Sequence, residues 1–277
     1  MGFFDRFKSK PSSVQHAGPF VLPVSEVSAA LPADGAITVA GLALPAGRCI
    51  TGDQFDSTVT TPVIWCTTEH SSQCGSWLKQ LSREFSASGL WPLALNGLDQ
   101  TLQRPWLEGE LDPEVGALEK AAAIDVRAAL AKRWSGSFEH EGDFPGLAQV
   151  SAAATDPFEA WWAEKKTAGL GLVAVKRPAD VPAVLGWQGP VNWGLNGSEM
   201  TAILRSWEDR FGAVLVGLGF ATMNLVVARR PRTINEARAV AAEYAAFCPD
   251  SVHQGTESLE ALAEALVDAP TWHFWWD

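Results

Sequence analysis

Ser198-Glu199-Met200-Thr201-Ala202-Ile203-Leu204-Arg205-Ser206-Trp207-Glu208-Asp209-Arg210-Phe211-Gly212, continued by Ala213-Val214-Leu215-Val216-Gly217-Leu218-Gly219 and Met223-Asn224-Leu225-Val226-Val227-Ala228, decides the fold. Met200, Ile203, Leu204, Trp207 and Phe211 recur at i, i+3, i+4, i+7 and i+11, the period of a helix with one apolar face. Ser198 reads as its N-cap and Gly212 as its stop. The two apolar runs that follow are short and joined tightly enough to pair as a hairpin.

Working towards the C-terminus, Thr233-Ile234-Asn235-Glu236 has the spacing of a capping box, opening a helix to Phe247. Ser258 starts a last helix to about Val267. The chain then reads Trp272-His273-Phe274-Trp275-Trp276-Asp277. Three Trp and a Phe in five positions, left in water, would aggregate, so this ending is expected to dock as a strand or packed extension.

Working towards the N-terminus, Leu170–Val175 reads as a strand and Ala179–Leu185 as a short helix. Thr60–Cys66 and Leu90–Leu95 flank a helix from Ser72 to Phe85, a strand–helix–strand unit that predicts parallel pairing through a crossover. Phe20–Leu44, broken by Pro and Gly, suits edge strands and turns. Val115–Trp134 is the longest predicted helix, and Asp156 is expected to cap a short helix through Lys166. The expected fold is α+β: a mixed sheet flanked by helices, with a C-terminal helix–hairpin–helix–helix–strand module. The expected organisation is a flexible leader over 1–18, an N-terminal α/β portion over 19–167 and a C-terminal module over 168–277, packed as one unit.

The 277 residues are 47% hydrophobic and 19% charged, enough to bury a sizeable core. A net charge of −11 repels phosphate backbones, and no Lys/Arg stripe offsets it, which argues against nucleic acid. Arg229-Arg230-Pro231-Arg232 reads as a solvated turn. No run of about 18 apolar residues exists to span a membrane. With no signal peptide and four Cys that make no disulfide framework, the expected compartment is the cytoplasm. Phe3, Phe4 and Phe7 offer one turn of a membrane-surface helix, against the simpler reading of a disordered leader.

Candidate chemistry is sparse. Cys248, Asp250 and His253 are close enough in sequence to suggest a nucleophile, an orienter and a base. Cys248 follows a helix, however, where the dipole raises a thiol pKa. Cys66, His70 and Cys74 supply soft ligands without the paired spacing of a zinc site, and no metal or cofactor is expected. Glu139–Asp143 and Glu108, Glu110 and Asp112 read as solvated acidic loops. Arg205, Glu208, Asp209 and Arg210 read as a surface salt-bridge ladder around Trp207, with a recognition face as the alternative.

Several motifs together carry a resemblance. They are Trp65, Gly89-Leu90-Trp91-Pro92-Leu93, Arg177-Pro178-Ala179-Asp180, Leu185-Gly186-Trp187-Gln188-Gly189-Pro190, Leu204–Ala213, Phe247-Cys248-Pro249-Asp250, Gln254-Gly255 and Phe274-Trp275-Trp276-Asp277. The chain resembles the bacterial family catalogued as domain of unknown function 4253 (DUF4253), closely over about 168–277 and more loosely over 60–167. The resemblance implies a cytoplasmic bacterial protein with a C-terminal α/β module, and it assigns no catalytic residue. With thirteen Trp against one Tyr, most indoles are expected in the core and a minority along a groove. The expected function is therefore a non-enzymatic binding or regulatory module, immunity-type proteins included. It would hold a protein or peptide in a groove near Trp187, Trp193, Arg205, Trp207, Trp272 and Trp275. The alternative is a small-molecule hydrolase or transferase using Cys248, His253 and Asp250.

Overall fold

A computed structural model describes residues 20–52, 59–138, 141–164 and 167–277. The leader with Phe3, Phe4 and Phe7, and positions 139 and 140 of the acidic loop, lie outside the described residues. Eight strands form one mixed sheet among those described: β1 (Gly35–Val39), β2 (Leu42–Ile50), β3 (Ile64–Thr67), β4 (Leu90–Leu95), β5 (Gly169–Ala174), β6 (Ala213–Leu218), β7 (Thr222–Val227) and β8 (Thr271–Trp275). Their order in space is β1-β2-β3-β5-β4-β6-β7-β8. Every neighbouring pair is antiparallel except β4 with β6. The α+β architecture is the expected one.

Two helices, α1 (Cys74–Arg83) and the single turn α2 (Phe85–Ser88), join β3 to β4. The unit forms, but its strands do not pair with each other as the crossover predicts. β5 enters between them, antiparallel to both, with Leu172 opposite Trp65 on one side and Pro92 on the other. The reason is burial. Leu170, Leu172 and Val173 are all fully buried, and an apolar run that needs cover on both faces is best placed in the middle of a sheet. The strand that opens the C-terminal third is thus interleaved with strands of the N-terminal portion.

Pro92 leaves β4 without an N–H at that position. The β4–β6 ladder accordingly covers only Ala94–Gly217 and Leu95–Leu218, and the indole N–H of Trp91 donates to the Leu215 carbonyl at 2.8 Å. A side chain completes what the backbone cannot.

The predicted Val115–Trp134 helix is two helices, α3 (Ala117–Ala123) and α4 (Val126–Ser137). Asp125 breaks it: its carboxylate accepts from the Ala128 amide at 3.1 Å, and Ile124 is extended. Local side-chain capping outweighs helical propensity there. The short helix α5 (Phe158–Glu164) begins where Asp156 accepts from the Phe158 amide at 2.9 Å. After β5 come α6 (Val181–Leu185) and α7 (Gly197–Phe211). The cap of α7 is Asn196, which accepts from the Glu199 amide at 2.9 Å. Ser198, the predicted cap, instead donates to the Ala117 carbonyl and ties α7 to α3. Gly212 ends α7 in the left-handed conformation, as expected.

The C-terminal order is helix, hairpin, then α8 (Ile234–Phe247), α9 (Leu259–Leu266) and β8. Alternate residues of the ending, Trp272, Phe274 and Trp276, are buried. Trp207 of α7 stacks on Phe274 and meets Trp272 and Phe247 edge-on, with centroids 5.0–5.6 Å apart. β8 is an edge strand, and α8 covers its open carbonyls. The Tyr244 hydroxyl donates to His273 and the Cys248 thiol to Trp275, at 3.0 Å for the thiol. Sheet edges left open invite pairing with other chains, and these two contacts close this one.

Trp207→Ala should cost about 3–5 kcal/mol of stability, because the ring is fully buried against Phe247, Trp272 and Phe274 and its removal leaves a cavity among them. Chemical denaturation should show the loss, and a change below about 1 kcal/mol would mean the aromatic cluster is not what holds α7 to the sheet.

Candidate functional site

The charged residues of α7 do not form a ladder along their own helix. Each reaches a partner on another element. Arg210 makes a two-pronged contact with Glu243 of α8, 2.7 and 2.6 Å. Glu208 accepts from Arg177 at 2.6 Å and from the Ala179 amide at 2.8 Å. Asp209 accepts from Arg177 at 2.6 Å, and Arg205 donates to Asp180 at 2.7 Å. The salt-bridge-ladder expectation is corrected by burial: Glu208, Asp180 and Glu243 are in the interior, where a charge must find a partner wherever the packing places one. Arg177, Asp180 and Glu243 carry this network together with the α7 residues; they stand in stretches that carry the family resemblance, but the sequence reading gives them no role in a site. One signal was available for Glu243, a lone acid within Ala241-Ala242-Glu243-Tyr244-Ala245-Ala246-Phe247.

A cleft of about 380 Å³ lies beside this network, between α7 and the α3–α4 corner. Ala121, Ala122, Ile124, Val126 and Ala202 give it small apolar walls; Arg205, Ser206, Asp209 and Arg210 give it polar ones. The corner exists because Asp125 splits the long helix, so a cap residue shapes the opening. Arg205 is the member of the expected Trp groove that lines it, and Asp209 and Arg210 of the recognition-face alternative line it too.

The predicted Trp groove takes another form. Trp187, Trp207 and Trp272 are completely buried, so they cannot wall an opening. Their indole bodies fill the core, with Trp187 donating to the Gly219 carbonyl at 3.0 Å and Trp207 to Glu243 at 2.8 Å. Trp193 and Trp275 are half-buried, and Trp193 donates to Asp250 at 2.7 Å.

Cys248, His253 and Asp250 are close in sequence and apart in chemistry. The Cys248 thiol is buried, bonds to the Trp275 carbonyl and is pushed up to about 12 by burial. The exposed His253 ring stacks on Phe138, with centroids 5.0 Å apart. Asp250 accepts from Trp193, from Gln254 and from the Asp277 amide, so it clamps the end of the chain to the 191–193 turn. Among the described residues no imidazole is recorded on the Cys248 sulfur. Cys66 is buried with its pKa raised to about 12, Cys74 donates to the Gly169 carbonyl, and no group of three or more His, Cys, Asp or Glu among the described residues is placed to hold a metal.

Residues 169–277 match the family model described as Domain of unknown function (DUF4253). This is the family the motifs above resemble, and the match starts at the first residue of β5. No curated protein and no solved structure matches the chain. The DUF4253 segment contains α7, α8 and the whole charged network. The α3–α4 wall of the cleft lies outside it.

Burial raises the Glu208 carboxyl from 4.5 to about 7, against the pull of Arg177. In that window the folded protein holds a proton that the unfolded chain has released, so stability should fall as pH rises from 4.5 to 7. Denaturation midpoints of the wild type, taken relative to Glu208→Gln, should decline across the window; a rise would reverse the assignment.

Proposed function

We propose that the protein is a non-enzymatic binding module of regulatory or immunity type, which holds a peptide segment of a partner in the cleft between α7 and the α3–α4 corner. One observation carries the reading: the polar groups lining the cleft are held in place by other side chains. Arg205 is held by Asp180, Asp209 by Arg177, and Arg210 by Glu243. Preorganised polar groups among small apolar walls suit recognition, since little ordering entropy remains to be lost on binding. The only hydroxyl among the lining residues, Ser206, already accepts from Arg210 at 3.1 Å.

The hydrolase or transferase alternative rests on Cys248, Asp250 and His253. The geometry lends it no support, because each of the three is engaged elsewhere. A cytoplasmic bacterial setting is part of the proposal; the free state of all four cysteines and the family match support it. The acidic net charge supports a protein or peptide partner over nucleic acid. No helix among the described residues is long and apolar enough to cross a membrane.

A photoreactive amino acid placed at Ala122, exposed on the cleft rim, should give a recurrent adduct with one partner. The same group at Arg238, exposed on α8, should not. Equal labelling from both positions, or none from either, would count against the cleft. In parallel, Cys248 should stay unmodified by a thiol-reactive probe at neutral pH in the folded protein; rapid modification would favour the enzymatic alternative.

A further inference from the structure

We propose that the cleft reads the free carboxyl terminus of a peptide ending in a small aliphatic residue. The inference deepens the binding reading above and rests on it. Three polar groups on one helix face carry it.

Arg205 spends its Nε on Asp180, and its two terminal amines have no recorded partner among the described residues. A planar pair of N–H donors of this kind matches the two oxygens of a carboxylate. Ser206 accepts from Arg210, which leaves its own proton to donate. Asp209 lines the cleft with an exposed side chain, and its contact with Arg177 is made through Oδ1, which leaves the second oxygen as an acceptor. Arg205 and Asp209 stand four residues apart on α7, so their Cβ atoms are about 5–6 Å apart.

This combination selects among ligands. A bare phosphate or sulfate meets Arg205 but is repelled by Asp209. A bare cation has the reverse difficulty. The last residue of a peptide offers both signs of polarity across a single Cα. Its carboxylate takes Arg205 and the Ser206 hydroxyl, and its amide N–H donates to the free oxygen of Asp209. The side chain then lies against Ala121, Ile124, Val126 and Ala202, a wholly aliphatic surface with no aromatic ring to stack on and no polar group to satisfy, which suits Ala or Val. The volume, about 380 Å³, is at the small end of the range for ligand sites, as a chain end requires. Asp180, buried behind Arg205, holds the guanidinium in position before the ligand arrives.

The test is fluorescence anisotropy with short peptide pools labelled at the N-terminus, each pool fixed in its last residue and made both as free acid and as C-terminal amide. Pools ending in Ala or Val should bind as acids. Their amides should bind at least about tenfold more weakly, the scale of a charge-assisted hydrogen bond. Ala122→Trp narrows the cleft without touching any charge and should abolish binding at an unchanged melting temperature. Arg205→Lys keeps the charge beside Asp180 but loses the fork, and should shrink the acid–amide ratio. Acids and amides that bind equally, both lost in Ala122→Trp, would overturn the carboxylate reading and leave the cleft a binding site. N-acetylvaline, which carries the same carboxylate, amide N–H and side chain, should compete with the peptides; peptide binding that it cannot displace at any concentration would overturn the reading of the terminal residue. No binding by any pool would remove it outright, while an adduct from position 122 would still uphold the broader reading.

Discussion

Glu243 is the point on which the C-terminal half converges. Its side chain is fully buried and takes four hydrogen bonds: two from Arg210, one from the Trp207 indole and one from the Ala148 amide. Removing a carboxylate from water costs several kcal/mol, which only a full set of donors returns. Those donors come from α7 and from the loop that follows α4, while the acceptor sits on α8. The one carboxylate therefore sets the separation of α7 from α8, and it holds the Trp207 ring where Trp272, Phe247 and Phe274 can close around it. The aromatic cluster and the charged network are two sides of the same helix, joined by a single indole N–H.

That double use of α7 explains the placement of the cleft. One face of the helix is committed to the sheet through Met200, Ile203, Leu204, Trp207 and Phe211, all buried. Another is committed to buried acids. What remains, from Ala202 through Asp209, faces the corner where Asp125 ends one helix and starts the next. The opening is a consequence of two helices that cannot continue as one, beside a third whose ionic groups are already fixed. The sheet beneath behaves in the same way: β5 is gripped between β3 and β4, so the segment carrying the family pattern is not laid beside the rest of the chain but threaded through it.

Much of the fold was legible because its signals are local. The period of Met200–Phe211, the Gly212 stop, the Thr233 cap, the hairpin of β6 and β7 and the strand at Leu90–Leu95 are all read from neighbouring residues. The misreadings share the opposite character. Ser198 reads as the cap of α7 and no break is expected at Asp125; Ser198 is drawn away by the Ala117 carbonyl, which leaves the cap to Asn196, and Asp125 caps a second helix. Pairing of β3 with β4 followed from their connection, while β5, distant in sequence, had the greater need for a central place. The indoles of Trp187, Trp207 and Trp272 read as groove residues and are core, since composition states that aromatic area must be covered without saying by what.

Of the candidate site, Arg205 reads as a binding residue from the sequence, and Asp209 and Arg210 belong to the recognition-face alternative; all three line the cleft. The Asp180 partner of Arg205, the Arg177 that pairs with Glu208 and the apolar wall of α3 and α4 come from segments 25 or more positions away, and no spacing rule connects them. By itself the sequence determined the elements and the need to bury an aromatic ending, because hydrogen-bond periods and the exclusion of apolar surface from water act over a few residues. Tertiary structure alone decided which acids went inside, which cysteine became a strap on an edge strand and where an opening was left. Those outcomes depend on desolvation and on the partners that long-range packing supplies, which no local pattern encodes.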